Sequence, residues 1–241
     1  MKNKKEVQAG GKLYIAGEYS ILTPGQTAII QFIPIYMQAD IQPASTYRIQ
    51  SDMFSFAVDL TPQADYALIQ ETVNLMNAYL QSQGVAISPF DLRIWGKFER
   101  EDKKFGIGSS GSVVLLTLKA MAALYDFPLS ADLLFRLACL VLIRRGDNGS
   151  MGDLACIAYE SLVSYRSFDR RALAEQLQDQ DLNQVLALDW GYEIQPLSPQ
   201  LPYTFLVGWT QEPAISRDLI NQVRSAIDHV FLEGTEQAVQ D

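Results

Sequence analysis

Between Lys103 and Val113 the chain reads KKFGIGSSGSV, with three glycines and three serines inside the seven residues 106–112, directly ahead of a long apolar run. Backbone N–H groups at a helix start, free of bulky side chains, make a site for negative charge, most often a phosphate. Gly106, Gly108 and Gly111 satisfy G-x-G-x-x-G, yet the context is not that of a dinucleotide fold. The lead-in is the charged KFEREDKK rather than a hydrophobic strand, and Asp126 follows the helix with no second strand between. No lysine follows the glycines as a Walker A loop requires. A plain helix cap needs fewer small residues, so the excess points to close approach of the backbone to a ligand. The single histidine, His229, stands in a polar stretch. A Ser–His–Asp triad or a His-rich metal site therefore has almost nothing to work with, and any proton transfer falls to Asp, Glu, Lys or Tyr.

The composition fits a soluble globular protein: 241 residues, 48% hydrophobic and 20% charged, enough for one large domain or two smaller ones. A net charge of −9 argues against nucleic acid as a partner. No apolar segment follows MKNKKEVQAG, and no apolar run nears the ~20 residues of a membrane span, so neither a signal peptide nor a membrane partner is expected. Cys139 in LACLVL and Cys156 in LACIAY are expected as buried free thiols, too few for a disulfide framework or a zinc site. A cytoplasmic chain is the expectation. No feature of the sequence fixes an oligomeric state.

The elements that must position the loop are mixed α and β, with strands grouped early and helices later: an α+β class. GKLYIAGEYSIL, IPIYMQADI and TYRIQSD read as strands bounded by turn formers. Residues 65–83 predict an amphipathic helix with Ile69, Val73, Met76 and Leu80 on one face and Gly84 as its stop. FDLRIWGKFE alternates Phe90, Leu92 and Ile94 toward a core. A buried helix is expected over 113–125, and another from the N-cap Ser130 to Arg145, stopped by Gly146. Then come the loop GDNGSMGD, a strand through CIAYESLVSYRSF, a solvated helix over 171–188, a strand in PYTFLVGWT and a helix over 216–232.

At this point the residues carry a resemblance. GIGSSGS before a buried helix resembles the central phosphate-binding motif of the GHMP kinases, GKLYIAGEYSIL resembles their first motif, and NGSMGDLA resembles their substrate loop, where a serine precedes an aspartate by three residues. The longer spans GKLYIAGEY, KKFGIGSSGSV and RRGDNGSMGDLAC are most similar to the bacterial phosphomevalonate kinases of that family. The resemblance implies transfer of the ATP γ-phosphoryl to phosphomevalonate, giving diphosphomevalonate on the route to isoprenoids, with ATP and Mg²⁺ as cofactors. It implies that Gly106, Ile107, Gly108, Ser109, Ser110, Gly111 and Ser112 hold the ATP phosphates and that Ser110 ligates Mg²⁺. Lys12 and Lys104 would neutralise charge between donor and acceptor, Ser150 would contact the substrate phosphate, and Ser216 in EPAISRD would contact substrate from a second domain. Asp153 has three possible roles: base, orienter of Lys12, or Mg²⁺ ligand. A phosphate monoester with a second pKa near ~6 is already largely dianionic at neutral pH, which weakens the case for a base. The alternatives are a mevalonate kinase, whose alcohol acceptor would give Asp153 that role, and a non-catalytic nucleotide binder.

The family's third glycine-rich motif has no counterpart after Gly208 in the sequence to Asp241. The expected organisation is therefore a GHMP kinase amino-terminal domain over 1–198, with 199–241 as only the first strand and helix of a carboxy-terminal domain. Little turnover is expected of such a chain.

Overall fold

The computed structural model describes residues 4–101, 103–200 and 204–211. In chain order its strands are β1 (Lys5–Ala16), β2 (Thr27–Pro43), β3 (Arg48–Ser51), β4 (Ala57–Val58), β5 (Phe90–Trp95), β6 (Glu99–Arg100), β7 (Lys103–Lys104), β8 (Val163–Arg166) and β9 (Glu193–Pro196). Its helices are α1 (Ala67–Ser82), α2 (Ser109–Leu124), α3 (Ala131–Arg144), α4 (Gly152–Tyr159), α5 (Arg170–Asp179) and α6 (Leu182–Ala187).

The long strand β2 organises a seven-stranded mixed sheet. One edge of β2 pairs antiparallel with β1; the other pairs with β5 over residues 38–43 and with β8 over 27–30. Buried positions along β2 run Ala28, Ile30, Phe32 and then Met37, Ala39, Ile41, a change of parity. The register of the β1–β2 ladder shifts between Ala9 and Gly11. There β2 passes through three residues, Pro34, Ile35 and Tyr36, opposite Gly10 alone, and the change of parity across this irregular stretch keeps both apolar sets on the core side. Gly10 sits there because a Cβ would lie 2.4 Å from the Phe32 ring.

Helix α2 packs on β1 and β2, with α1, α3 and α4 around it. Val114, Leu115, Leu116, Leu118 and Met121 are fully buried, so α2 is the central helix of the core. At ~1.5–3 kcal/mol per buried aliphatic side chain, this packing rather than intrinsic helix propensity holds it in place. The α1 face, the β5 alternation and the Ser130 cap stand as expected: Ile69, Val73, Met76 and Leu80 are buried, and the Leu133 amide donates to Ser130 Oγ at 3.1 Å.

Four expectations need correction. The helix assigned to 113–125 begins at Ser109, so the second half of the glycine-rich segment is its first turn. The strand assigned to CIAYESLVSYRSF is helix α4 as far as Tyr159, then β8 after a left-handed Glu160. The helix assigned to 171–188 is two helices, because Asp181 and Gln184 form a capping box that starts α6 afresh. Residues 204–210 of the stretch PYTFLVGWT form no strand, and Leu206 is 86% exposed. The helix assigned to 216–232 lies outside the described residues. Among the described residues no helix is long and apolar enough to cross a membrane, and both cysteines are buried free thiols.

Candidate active site

The glycine-rich loop lies between the hairpin β6–β7 and α2, pinned to β1. The Lys12 amide donates to the Ile107 carbonyl at 2.9 Å, and the Ile107 side chain is buried against Gly11, where a Cβ would come within 2.7 Å of it. Ser112, fully buried, donates its hydroxyl toward the carbonyls of Gly10 (2.8 Å) and Gly108 (3.0 Å). Its side chain therefore ties helix to strand rather than facing a ligand. Gly106 (φ +77°) and Gly108 (φ +89°) adopt the left-handed region that side chains disfavour. Gly108 caps α2 without a side chain, and no acidic residue occupies the first turn. Among the described residues the amides from Gly106 to Gly111 find no acceptor. A row of unclaimed donors at the positive end of a sixteen-residue helix is an anion cradle. The hydroxyls of Ser109 and Ser110 stand at its mouth, with Ser110 exposed.

Strand β1 brings the cation. Lys12 and Tyr14, two residues apart, face the same side of the strand. The Lys12 stem runs beneath Gly108, whose Cβ, if present, would stand 3.1 Å from Lys12 Cε, and its ammonium lies 4.9 Å from the centre of the Tyr14 ring. The loop 146–151 and α4 bring the acid. Met151 takes a left-handed conformation (φ 66°) that starts α4, and Gly152 follows where a Cβ would meet Tyr14 Oη at 2.6 Å and Ile30 at 2.7 Å. Asp153 then points at the first turn of α2: a Cβ on Gly111 would lie 2.8 Å from its Oδ2. Its Oδ1 accepts from the Leu154 amide at 2.9 Å. Burial pushes the Asp153 carboxyl above its ordinary value, opposed by the positive charge of Lys12 and reinforced by the negative charge of Asp147. Ser150, nearly buried, hydrogen-bonds the Tyr14 hydroxyl at 2.9 Å, and its carbonyl accepts from Tyr165 Oη at 2.8 Å.

Lys12, the loop from Gly106 to Gly111, Ser150 and Asp153 therefore converge, although 141 positions separate the first from the last. Lys104 stands exposed on the hairpin just before the loop, and no contact joins it to Lys12 or Asp153 among the described residues. Ser216 lies outside them. Tyr14 is the site residue that sequence reasoning left unassigned. It lies inside the quoted GKLYIAGEY, but its partner Ser150 is 136 positions away. Among the described residues no three His, Cys, Asp or Glu side chains converge on a possible metal position. A divalent cation at this site would thus rest chiefly on nucleotide oxygens, as Mg²⁺ commonly does, with the Ser110 hydroxyl and Asp153 in reach of the same helix turn.

A sequence model of the GHMP kinases N terminal domain matches residues 67–161, which include the phosphate loop and the Ser150–Asp153 turn. The structure superimposes on a solved Streptococcus pneumoniae phosphomevalonate kinase in complex with phosphomevalonate and AMPPNP, with a TM-score of 0.95 and 54% identity over 98% of this chain and 71% of that one. The chain belongs to the GHMP kinases. A second structure of the S. pneumoniae phosphomevalonate kinase superimposes with a TM-score of 0.89 at 50% identity, over 98% of this chain and 70% of that one. The phosphomevalonate kinase of Streptomyces sp. (strain CL190) is 27% identical across 96% of this chain and 70% of its own length. Solved mevalonate kinases share the fold, at 18% identity. In this GHMP kinase the loop Gly106–Gly111 leads into the helix that carries the core.

Proposed function

We propose that this chain is an ATP-dependent phosphomevalonate kinase, moving the γ-phosphoryl of ATP onto the phosphate of phosphomevalonate to give diphosphomevalonate and ADP. The carrying observation is the convergence of an anion cradle, a lysine and a serine–aspartate turn at one helix end, in a chain 54% identical to a kinase solved with phosphomevalonate and a nucleotide analogue. Phosphoryl transfer requires alignment and charge neutralisation more than covalent help. The amides of the loop and the first turn of α2 hold the nucleotide phosphates, with Ser109 and Ser110 adding hydroxyls. Lys12 supplies positive charge between donor and acceptor, and Lys104 reaches in from the hairpin. Ser150 and, from the second domain, Ser216 hold the acceptor. Mg²⁺ would neutralise the phosphate charge, held by Ser110 beside the nucleotide.

The acceptor oxygen of a dianionic monoester attacks the γ-phosphorus, and the bond to the β-γ bridging oxygen breaks, leaving ADP. No proton has to leave the nucleophile. Asp153 accordingly orients Lys12 across the loop. An alcohol acceptor would need Asp153 as base, and its raised pKa is the one feature that favours that second reading. Among the described residues the last backbone bond to the sheet, from the Leu197 amide to the Leu162 carbonyl at 2.8 Å, supports a domain boundary at 198/199. Two buried thiols support a reducing, cytoplasmic setting. The test is ADP formation with ATP and each acceptor in turn: phosphomevalonate should drive it, and a response to mevalonate alone would replace this reading with the second.

A further inference from the structure

The Tyr14–Ser150 hydrogen bond has a direction that the surrounding groups determine. Ser150 Oγ has two neighbours within hydrogen-bonding distance, the Gly152 amide at 3.2 Å and Tyr14 Oη at 2.9 Å. The amide can only donate. Tyr14 Oη has Ser150 as its one hydrogen-bond partner among the described residues, and it lies so close to Gly152 that a Cβ there would stand 2.6 Å from it. If Ser150 donated to Tyr14, the phenolic proton would be left without an acceptor in a desolvated position, which is costly. A phenol is also the stronger acid and an aliphatic alcohol the better acceptor, so Tyr14 donates to Ser150. Burial and the Asp153 carboxylate both raise the Tyr14 pKa, which keeps that proton in place. With both its lone pairs engaged, Ser150 holds its own hydroxyl proton free, and no acceptor for it exists among the described residues.

We propose that Tyr14 is a positioning residue which, through the hydrogen bond it gives to Ser150, commits the serine to act solely as a donor toward an anionic oxygen of the acceptor. The inference rests on the reading of Ser150 as an acceptor contact. It also gives that contact a selectivity: a site preset to donate favours a phosphate oxygen over a hydroxyl group, which gains less from a pure donor. The Tyr14 ring has a separate role beneath Lys12, so the informative variant is Tyr14→Phe, which keeps the ring and removes only the hydroxyl.

Calorimetric titration with phosphomevalonate, and separately with Mg-AMPPNP, of the parent chain, Tyr14→Phe, Ser150→Ala and the double variant tests this. Tyr14→Phe should weaken phosphomevalonate about tenfold, the loss expected when one charge-assisted hydrogen bond is released from its geometry, and Ser150→Ala should weaken it at least as much. The double variant should bind no more weakly than Ser150→Ala alone, because Tyr14 acts through the serine. Mg-AMPPNP affinity should hold in all four. Unchanged phosphomevalonate binding in Tyr14→Phe, or additive losses in the double variant, would overturn the inference and leave Ser150 as an acceptor contact. Unchanged binding in Ser150→Ala, or none by the parent, would remove the acceptor reading and the inference with it.

Discussion

Lys12 does two jobs that a single substitution separates. Its stem fills the space under Gly108, and its ammonium lies beside the Tyr14 ring and near Asp153 without closing to an ion pair among the described residues. Methionine keeps most of the stem and removes the charge. Lys12→Met should therefore fold normally and lose about 10²–10³ in kcat, the cost of removing one preorganised group aimed at transition-state charge; circular dichroism and turnover measured together check both halves. Asp153 has the opposite economy. Its pKa is raised on folding, so the protein favours the protonated form: the folded state is better off below the ordinary carboxylate value, and that advantage is lost as pH rises through the higher folded value. Above that window the ionised carboxylate is a standing cost to the fold. Asp153→Asn should melt at a higher temperature than the parent at neutral pH, with the difference shrinking as pH falls through the acid range. Melting curves from pH 3 to 8 measure it; a parent that is the more stable at neutral pH would mean that Lys12 outweighs burial.

At the scale of the element, the loop depends on backbone shape. Gly84 and Gly108 both have positive φ, at +79° and +89°. Alanine at either position should cost about 1–2 kcal/mol of stability through strain. Gly84 ends α1 in open space, whereas a Cβ on Gly108 presses on Lys12. Gly108→Ala should thus weaken Mg-nucleotide binding while Gly84→Ala leaves it unchanged, as calorimetry beside melting would show. Equal nucleotide affinity in the two variants would mean that the loop does not cradle phosphate. What the sequence makes legible follows the same division between local and distant. The Ser130 cap and the 90–94 alternation are local signals and read correctly. The capping box at Asp181 was equally local, D-x-x-Q, but a continuous polar face hid it. Helix α4 was not legible, because a short apolar run followed by β-formers suits either period, and its start depends on a left-handed Met151. Tyr14 meeting Ser150 depends on the whole sheet and leaves no mark in either neighbourhood.

Across the whole molecule, the described part of the tail comes back to the site. Trp209 packs edge-on against Phe105, with ring centres 5.1 Å apart, one residue before the loop begins. Of the three tryptophans, Trp190, between α6 and β9, is locked by its bond to the Val185 carbonyl, and Trp95, at the end of β5, by its bond to the Gln38 side chain. Nucleotide binding should change the emission of Trp209 alone, so Mg-AMPPNP should alter fluorescence in the parent and not in Trp209→Phe. A response that survives the substitution would place the change elsewhere. The central claim is that this helix end, with Lys12, Ser150 and Asp153 around it, is built for a phosphorylated acceptor next to a nucleotide. Calorimetric titration of phosphomevalonate and of mevalonate into the chain saturated with Mg-AMPPNP tests it most directly. Binding of phosphomevalonate at least about tenfold tighter than mevalonate is the predicted result, as one charge-assisted hydrogen bond alone would give; equal or tighter binding of mevalonate would contradict it.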